Sequence, residues 1–262
     1  MKKMIAFDLD GTLAESKQAI APPTAALLKS LLDVASVAVI SGGNWPQFET
    51  QVVDQLPVGT NLTHLYIMPT TGTKLYRYDG SWRLVYAEIF EESLSKAIIA
   101  ALEKVSASLR QNDFEIWGDQ IENRGSQITF SGLGQQAPLA AKKAWDPDMA
   151  KRKALQSALR KLLPDLSINV GGSTSIDITK KGIDQAYGMR RLSEHSKTTL
   201  DEILFLGDAI FPGGNDDPVR AAGIDTVAVR DVAESMSVVR AIIACLQSPT
   251  SASAVLSDPS TL

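Results

Sequence analysis

Five short runs of almost unbroken apolar residues, at 4–7, 37–40, 65–68, 203–206 and 226–229, constrain this chain more than any other feature. Each is too short for a globular helix and lacks the alternation of a strand with one wet face. Each therefore reads as a strand buried on both sides. Helical patterns separate them. Pro22-Pro23-Thr24 suits a first helical turn, with Ala26, Leu27, Leu28, Leu31 and Leu32 as the apolar face. Trp45, Phe48, Val52, Val53 and Leu56 recur at helical spacing, and a last helix runs to about Leu246. The alternation predicts an α/β fold: a Rossmann-like core around a parallel sheet with helices on both faces. Ligands of such sheets bind beyond the carboxyl ends of the strands. Asp8, Ser41 and Asp208 all fall at that end.

The middle of the chain has a different rhythm. An amphipathic helix (Ile89, Phe90, Leu94, Ile98, Leu102, Val105, Leu109) is followed by expected strands at 114–117 and 127–130. A helix over 148–163 and strands at 166–170 and 175–179 complete an αββαββ order. We read residues 87–179 as an α+β domain inserted into a core made of 1–86 and 180–247. Before the insert, 73–78 and 83–86 form an expected hairpin turning at Asp79-Gly80. The small, polar segment 248–262 is expected to be a disordered tail.

The 262 residues carry a net charge of −4, so no global basic field invites nucleic acid or anionic lipid. No apolar run approaches a membrane span, and no signal-peptide pattern precedes Asp8. The single cysteine, Cys245, fits a reducing compartment, so the expected location is cytoplasmic. The expected state is monomer or homodimer, with a small phosphorylated molecule as substrate.

Asp8-Leu9-Asp10-Gly11-Thr12 carries the chemistry. Two carboxylates at the end of a buried strand need a cation or proton between them. Asp is also a side chain able to hold a phosphoryl group covalently. The pattern predicts a Mg2+-dependent phosphoryl-transfer site, with Asp8 as nucleophile and metal ligand and Asp10 as general acid and base. Magnesium prefers about six oxygens. Asp208 is expected to join Asp8 and the Asp10 carbonyl on the ion, and Asn215-Asp216 to hold its waters. Ser41 with the Gly42 and Gly43 amides would donate to the phosphoryl oxygens, and Lys181, before Gly182 at an expected helix start, would supply positive charge. A calcium loop of the EF-hand type is excluded, because Leu13 and Ala19 stand where it needs Gly and Glu.

With these residues assembled, the chain resembles the haloacid dehalogenase (HAD) superfamily. The four motifs are Asp8-Leu-Asp-Gly-Thr, strand-end Ser41, Lys181-Gly182 and Gly207-Asp208 with Asn215-Asp216. The insert is similar to the caps of its class IIB (C2-capped) members. Residues 66–78, 171–177 and 212–216 resemble eukaryotic-type phosphomannomutases more narrowly. That resemblance implies cap contacts to a sugar phosphate from Arg124, Ser175 and Asp177. It also implies arginines where this chain has Gln135 and, nearby, Lys142, and an asparagine where it has Thr129. Asp208 stands where those mutases carry Asn. A mutase must grip a second phosphate, so the loss of guanidinium groups makes hydrolysis of a small phosphorylated sugar or polyol the expected reaction. A phosphomannomutase and a non-catalytic phosphosugar-binding domain are the alternatives.

Other motifs carry less. Gly132-Leu-Gly134-Gln-Gln-Ala137 mimics a dinucleotide fingerprint but meets Pro138 at once and lacks a βαβ setting. His64 and His195 have no metal-ligand spacing, and Trp45 reads as sheet packing.

Overall fold

The computed structural model describes residues 1–107 and 115–247, and two β-sheets organise them. The larger sheet contains β1 (Met4–Asp8), β2 (Ser36–Ile40), β3 (Leu65–Met68), β4 (Lys74–Tyr78), β5 (Trp82–Ala87), β10 (Ile203–Gly207) and β11 (Asp225–Ala228). Its order is β11-β10-β1-β2-β3-β4-β5, parallel from β11 to β3 and antiparallel across the β4–β5 hairpin.

Strand β1 is central and wholly buried. Side chains alternate across a strand, so Ile5 and Phe7 pack with Leu28 and Leu31 of helix Pro22–Leu32 and Val239 of helix Val232–Gln247. Met4 and Ala6 face the other way, onto Met189 and Leu192 of helix Gln185–Ser196. Both faces are covered, which is why the run shows no polar alternation. In the first helix Ala25 is buried and Ala26 exposed, the reverse of the expected placement. The second helix is shorter than expected: Trp45–Gln51 gives way at Val52 (φ −121°) to a 3-10 turn at Val53–Gln55.

The smaller sheet is antiparallel, in the order β6 (Ile121–Asn123), β7 (Ile128–Ser131), β9 (Ser175–Lys180), β8 (Leu166–Val170). Ile128, Phe130, Ile176 and Ile178 pack beneath helices Glu92–Ser106 and Ala150–Leu162, through Ile98, Leu102, Leu155 and Leu159. The alternate residues Thr129, Ser175 and Asp177 line the cavity on the opposite face.

The expected strand at 114–117 is not found. Phe114 lies outside the described residues, and 115–117 carry no strand. The partner of β7 is β6 instead, closed by a tight turn at Gly125 (φ +81°) in which Arg124 N donates to Gln127 O at 2.8 Å. A further short helix, Leu139–Trp145, follows β7. Leu109 and the expected tail at 248–262 also lie outside the described residues. Among those described, no helix is long and apolar enough to cross a membrane.

Candidate active site

Three carboxylates meet where the parallel strands end. Asp8 closes β1, Asp208 follows β10, and Asp216 follows the Gly213-Gly214 turn; one oxygen from each lies within 4.8 Å of the others. The backbone allows this only by omitting side chains. Gly11 has φ +92°, and a Cβ there would lie 2.4 Å from Asp208 Oδ2. A Cβ on Gly207 would lie 2.2 Å from Asp216 Oδ2. Asp216 is fully buried and accepts from Ala209 N and Asn215 Nδ2, each at 3.0 Å.

This crowding has an electrostatic signature. Burial, then Asp216, Asp208 and Asp10, push the Asp8 carboxyl well above the usual carboxylate range. Burial, with Asp208 adding to it, raises Asp216 to about 7. Such a set needs protons or a cation. Its donors are all carboxylate oxygens and Asp208 is exposed, which suits a hard divalent ion that keeps some of its waters. Asp216 was expected only to hold waters, but its carboxylate is a full member of the triad. The Asp10 carboxyl is not: its Oδ1 accepts from Lys17 N at 2.8 Å, and the nearby cations that act on it are Lys17, Lys142 and Arg124.

A cavity of about 480 Å³ joins the triad to the second sheet. Ser41, Gly42 and Gly43 line it from the core, with Asp10 and Asn215. Ser41 is buried and its Oγ accepts from Gly43 N at 3.5 Å. Gly42 takes part through its carbonyl, which accepts from Arg124 Nη1 and, at 2.8 Å, from Gln127 Nε2. Arg124, Lys142, Thr129, Ser175 and Asp177 line the opposite wall. Asp177 Oδ1 accepts from Thr129 Oγ1 at 2.7 Å; burial raises its pKa against the pull of Arg124. Gln135 does not line the cavity. Its Oε1 and carbonyl accept from Lys17 Nζ at 2.8 and 3.0 Å, so it acts on the site through Lys17.

Lys181 is a correction. It is exposed and lines no part of the cavity, because the helix starts later than expected. Asp184 is the N-cap, accepting from Tyr187 N at 2.7 Å, and Gln185 is the side chain that reaches the triad. Its Nε2 donates to Asp8 Oδ1 at 3.3 Å. Asp is a preferred N-cap, so Asp184 was the available signal for this shift. Lys17 had no such signal, since only folding brings it to Gln135.

The segment after β3 was also illegible. Thr70 (φ 53°) and Thr71 (φ 58°) are both left-handed, a costly state for a β-branched residue. Hydrogen bonds from Thr70 N to Gly43 O (2.8 Å) and Thr71 N to Ser41 O (2.9 Å) hold it. Thr71 Oγ1 then donates to Gln127 Oε1 at 2.9 Å, and Thr73 Oγ1 to Ser126 Oγ at 2.7 Å, fastening one sheet over the other.

The remaining motifs are structural. Trp45 stacks on Tyr76 at 4.2 Å, His195 stacks on Tyr86 at 5.0 Å, and His64 Nδ1 lies 3.2 Å from Leu32 O. Gly132 is packed against Trp145.

Comparison with known proteins agrees with this architecture. A Bacteroides thetaiotaomicron haloacid dehalogenase-like hydrolase superposes with a TM-score of 0.59 at 15% identity, covering 92% of this chain and 100% of that one. A Plasmodium falciparum IMP-nucleotidase gives 0.69 at 13%, covering 93% and 68%. These show the fold: a HAD Rossmann-like core with a cap. In sequence, human phosphomannomutase 1 is 27% identical over 242 residues, 87% of this chain and 88% of that protein. The Encephalitozoon cuniculi phosphomannomutase is 26% identical over 227 residues, 82% and 83% of the two chains. The model of the eukaryotic phosphomannomutase family matches residues 24–241, most of the length, and to that family of the HAD superfamily the chain belongs.

Proposed function

We propose that this chain moves a phosphoryl group on a phosphorylated hexose, as a magnesium-dependent mutase with Asp8 as covalent acceptor. The observation that carries the reading is the second charged pole of the cavity. Lys17, Lys142 and Arg124, the last also paired with Glu122 at 2.6 Å, all act on Asp10. Lys142 is 5% exposed and Arg124 6%, so neither is an idle surface charge. Counting cap arginines alone favoured hydrolysis; Lys17 restores the third cation that Gln135 does not provide. A mutase needs such a pole for the phosphate that is not reacting. The relatives named phosphomannomutases support the same reading.

In this reading residues 87–179 act as the cap, and Asp8, Asp208 and Asp216 would hold Mg2+, with the main-chain carbonyl of Asp10 as a further donor. When bound, the ion neutralises charge on the phosphoryl oxygens. An Asp8 oxygen attacks phosphorus in line, the bond from phosphorus to the sugar oxygen breaks, and Asp10 gives that oxygen its proton. In the second half Asp10 takes the proton of another sugar hydroxyl, which attacks the aspartyl-phosphate and frees Asp8. Ser41 and the Gly43 amide steady the phosphoryl oxygens, while Ser175, Asp177 and Thr129 hold the sugar. A cap over the cavity would limit access of water to the intermediate.

Hydrolysis is the second reading, supported by the neutral Gln135. The two separate by product. Mannose or glucose 1-phosphate, supplied with magnesium and a trace of hexose bisphosphate, should yield the 6-phosphate; inorganic phosphate as the main product would replace the mutase by the phosphatase. Asp8→Asn should abolish both, and full turnover in that variant would remove the covalent mechanism.

A further inference from the structure

Asp8 has a neutral neighbour where a cation was expected. The charges acting on it, Asp216, Asp208 and Asp10, are all negative. The cations that act on Asp10 are Lys17, Lys142 and Arg124. Lys180 pairs with Glu88 at 3.6 Å, and Lys181 is exposed outside the cavity wall. What reaches Asp8 is Gln185, 4% exposed, with Nε2 donating to Asp8 Oδ1 at 3.3 Å, and the same side chain hydrogen-bonds Asp216. Its Oε1 is enclosed and has no hydrogen-bond partner. A buried amide oxygen without a donor is costly, and in a cavity wall it marks a place for one.

We propose that Gln185 is a catalytic residue whose neutral amide orients Asp8 in place of a cation, so that a bound divalent ion would supply the positive charge at the phosphoryl acceptor. The inference rests on Asp8 being that acceptor. Gln185 exchanges no proton and forms no bond to phosphorus; it holds the attacking carboxylate in line. Charge at position 185 therefore sets ion affinity, while hydrogen bonding there sets the rate of transfer to Asp8.

Full-length wild type, Q185K, Q185M and Q185E separate the two effects. Magnesium titrated calorimetrically into the substrate-free proteins should bind about tenfold more weakly to Q185K and several-fold more tightly to Q185E, with Q185M between them. At saturating magnesium, quench-flow labelling of Asp8 by a hexose phosphate should be slowed about 10²-fold in Q185M, the typical loss for one oriented donor. Q185K should label at or above the wild-type rate. Equal affinities in the three variants, or wild-type labelling of Q185M, would overturn the proposal. If Q185K does not fold, Q185E against Q185M decides the ion arm. A wild-type protein that never becomes labelled overturns the mutase and phosphatase readings themselves, whatever the order of affinities.

Discussion

Desolvation, with Lys142 and Arg124 nearby, lowers the pKa of Lys17 to about 8. A lysine with a depressed pKa loses its charge as pH rises through that value, and with it the attraction for an anion. We expect kcat/KM for a hexose phosphate to fall above pH 8. Lys17→Met should lack that limb and show a KM raised about tenfold, the usual order for one charged contact. A pH profile from 6 to 9.5 that is identical in both proteins would refute the assignment. Gly11 offers a test on the opposite wall. Ala there must adopt φ +92° and push a methyl into Asp208. The expected cost is about 1–3 kcal/mol of stability, with weaker magnesium binding, both read by thermal melts across an ion titration. At this scale Asp8, Ser41 and Asp208 were recognisable because their residue types and strand-end positions suffice, and Asp177 through the family resemblance. Lys17 and Gln185 were not, since a lysine or glutamine becomes a site residue only through what lies opposite it.

Among the elements, the loop between β8 and β9 depends on one buried ion pair. Asp146 Oδ2 accepts from Arg152 Nε at 2.8 Å, and Arg152 Nη1 reaches the carbonyls of Gly172 and, at 3.2 Å, Gly171. Breaking such a pair leaves an uncompensated buried charge, at a cost of about 3–5 kcal/mol. Arg152→Met should lower stability by that order in urea unfolding. It should also raise KM more than it lowers kcat, because the loop lines the cavity but carries none of the three clustered carboxylates. A fall in kcat alone would contradict this. The alternation along β7 and β9 could be read directly, as every second residue is Ile or Phe. Strand β6 could not: Ile121-Glu122-Asn123 has no strand pattern, and its pairing with β7 defines it.

Across the whole molecule, the triad links folding to pH. Asp8 and Asp216 have raised pKa values in the folded, ion-free protein, so that state binds more protons than the unfolded chain above about pH 4. Their contribution is complete below the unfolded carboxylate pKa; the Asp216 part is lost as pH rises through about 7, and Asp8 adds to it in the same direction. The melting temperature in chelator should therefore drop between pH 5 and 8, and saturating magnesium should remove most of the drop. A melting temperature in chelator that rises across that window would contradict the coupling. The chain alone determined the layers, the parallel sheet and the carboxyl-end position of Asp8 and Asp208, because periodicity and residue type are local properties that burial reads directly. Tertiary structure decided that Gln185 rather than Lys181 meets Asp8, that Asp216 completes the triad, and that Lys17 crosses to Gln135. Those outcomes depend on where a helix is capped and how one sheet settles over another, which are distances between residues far apart in the chain.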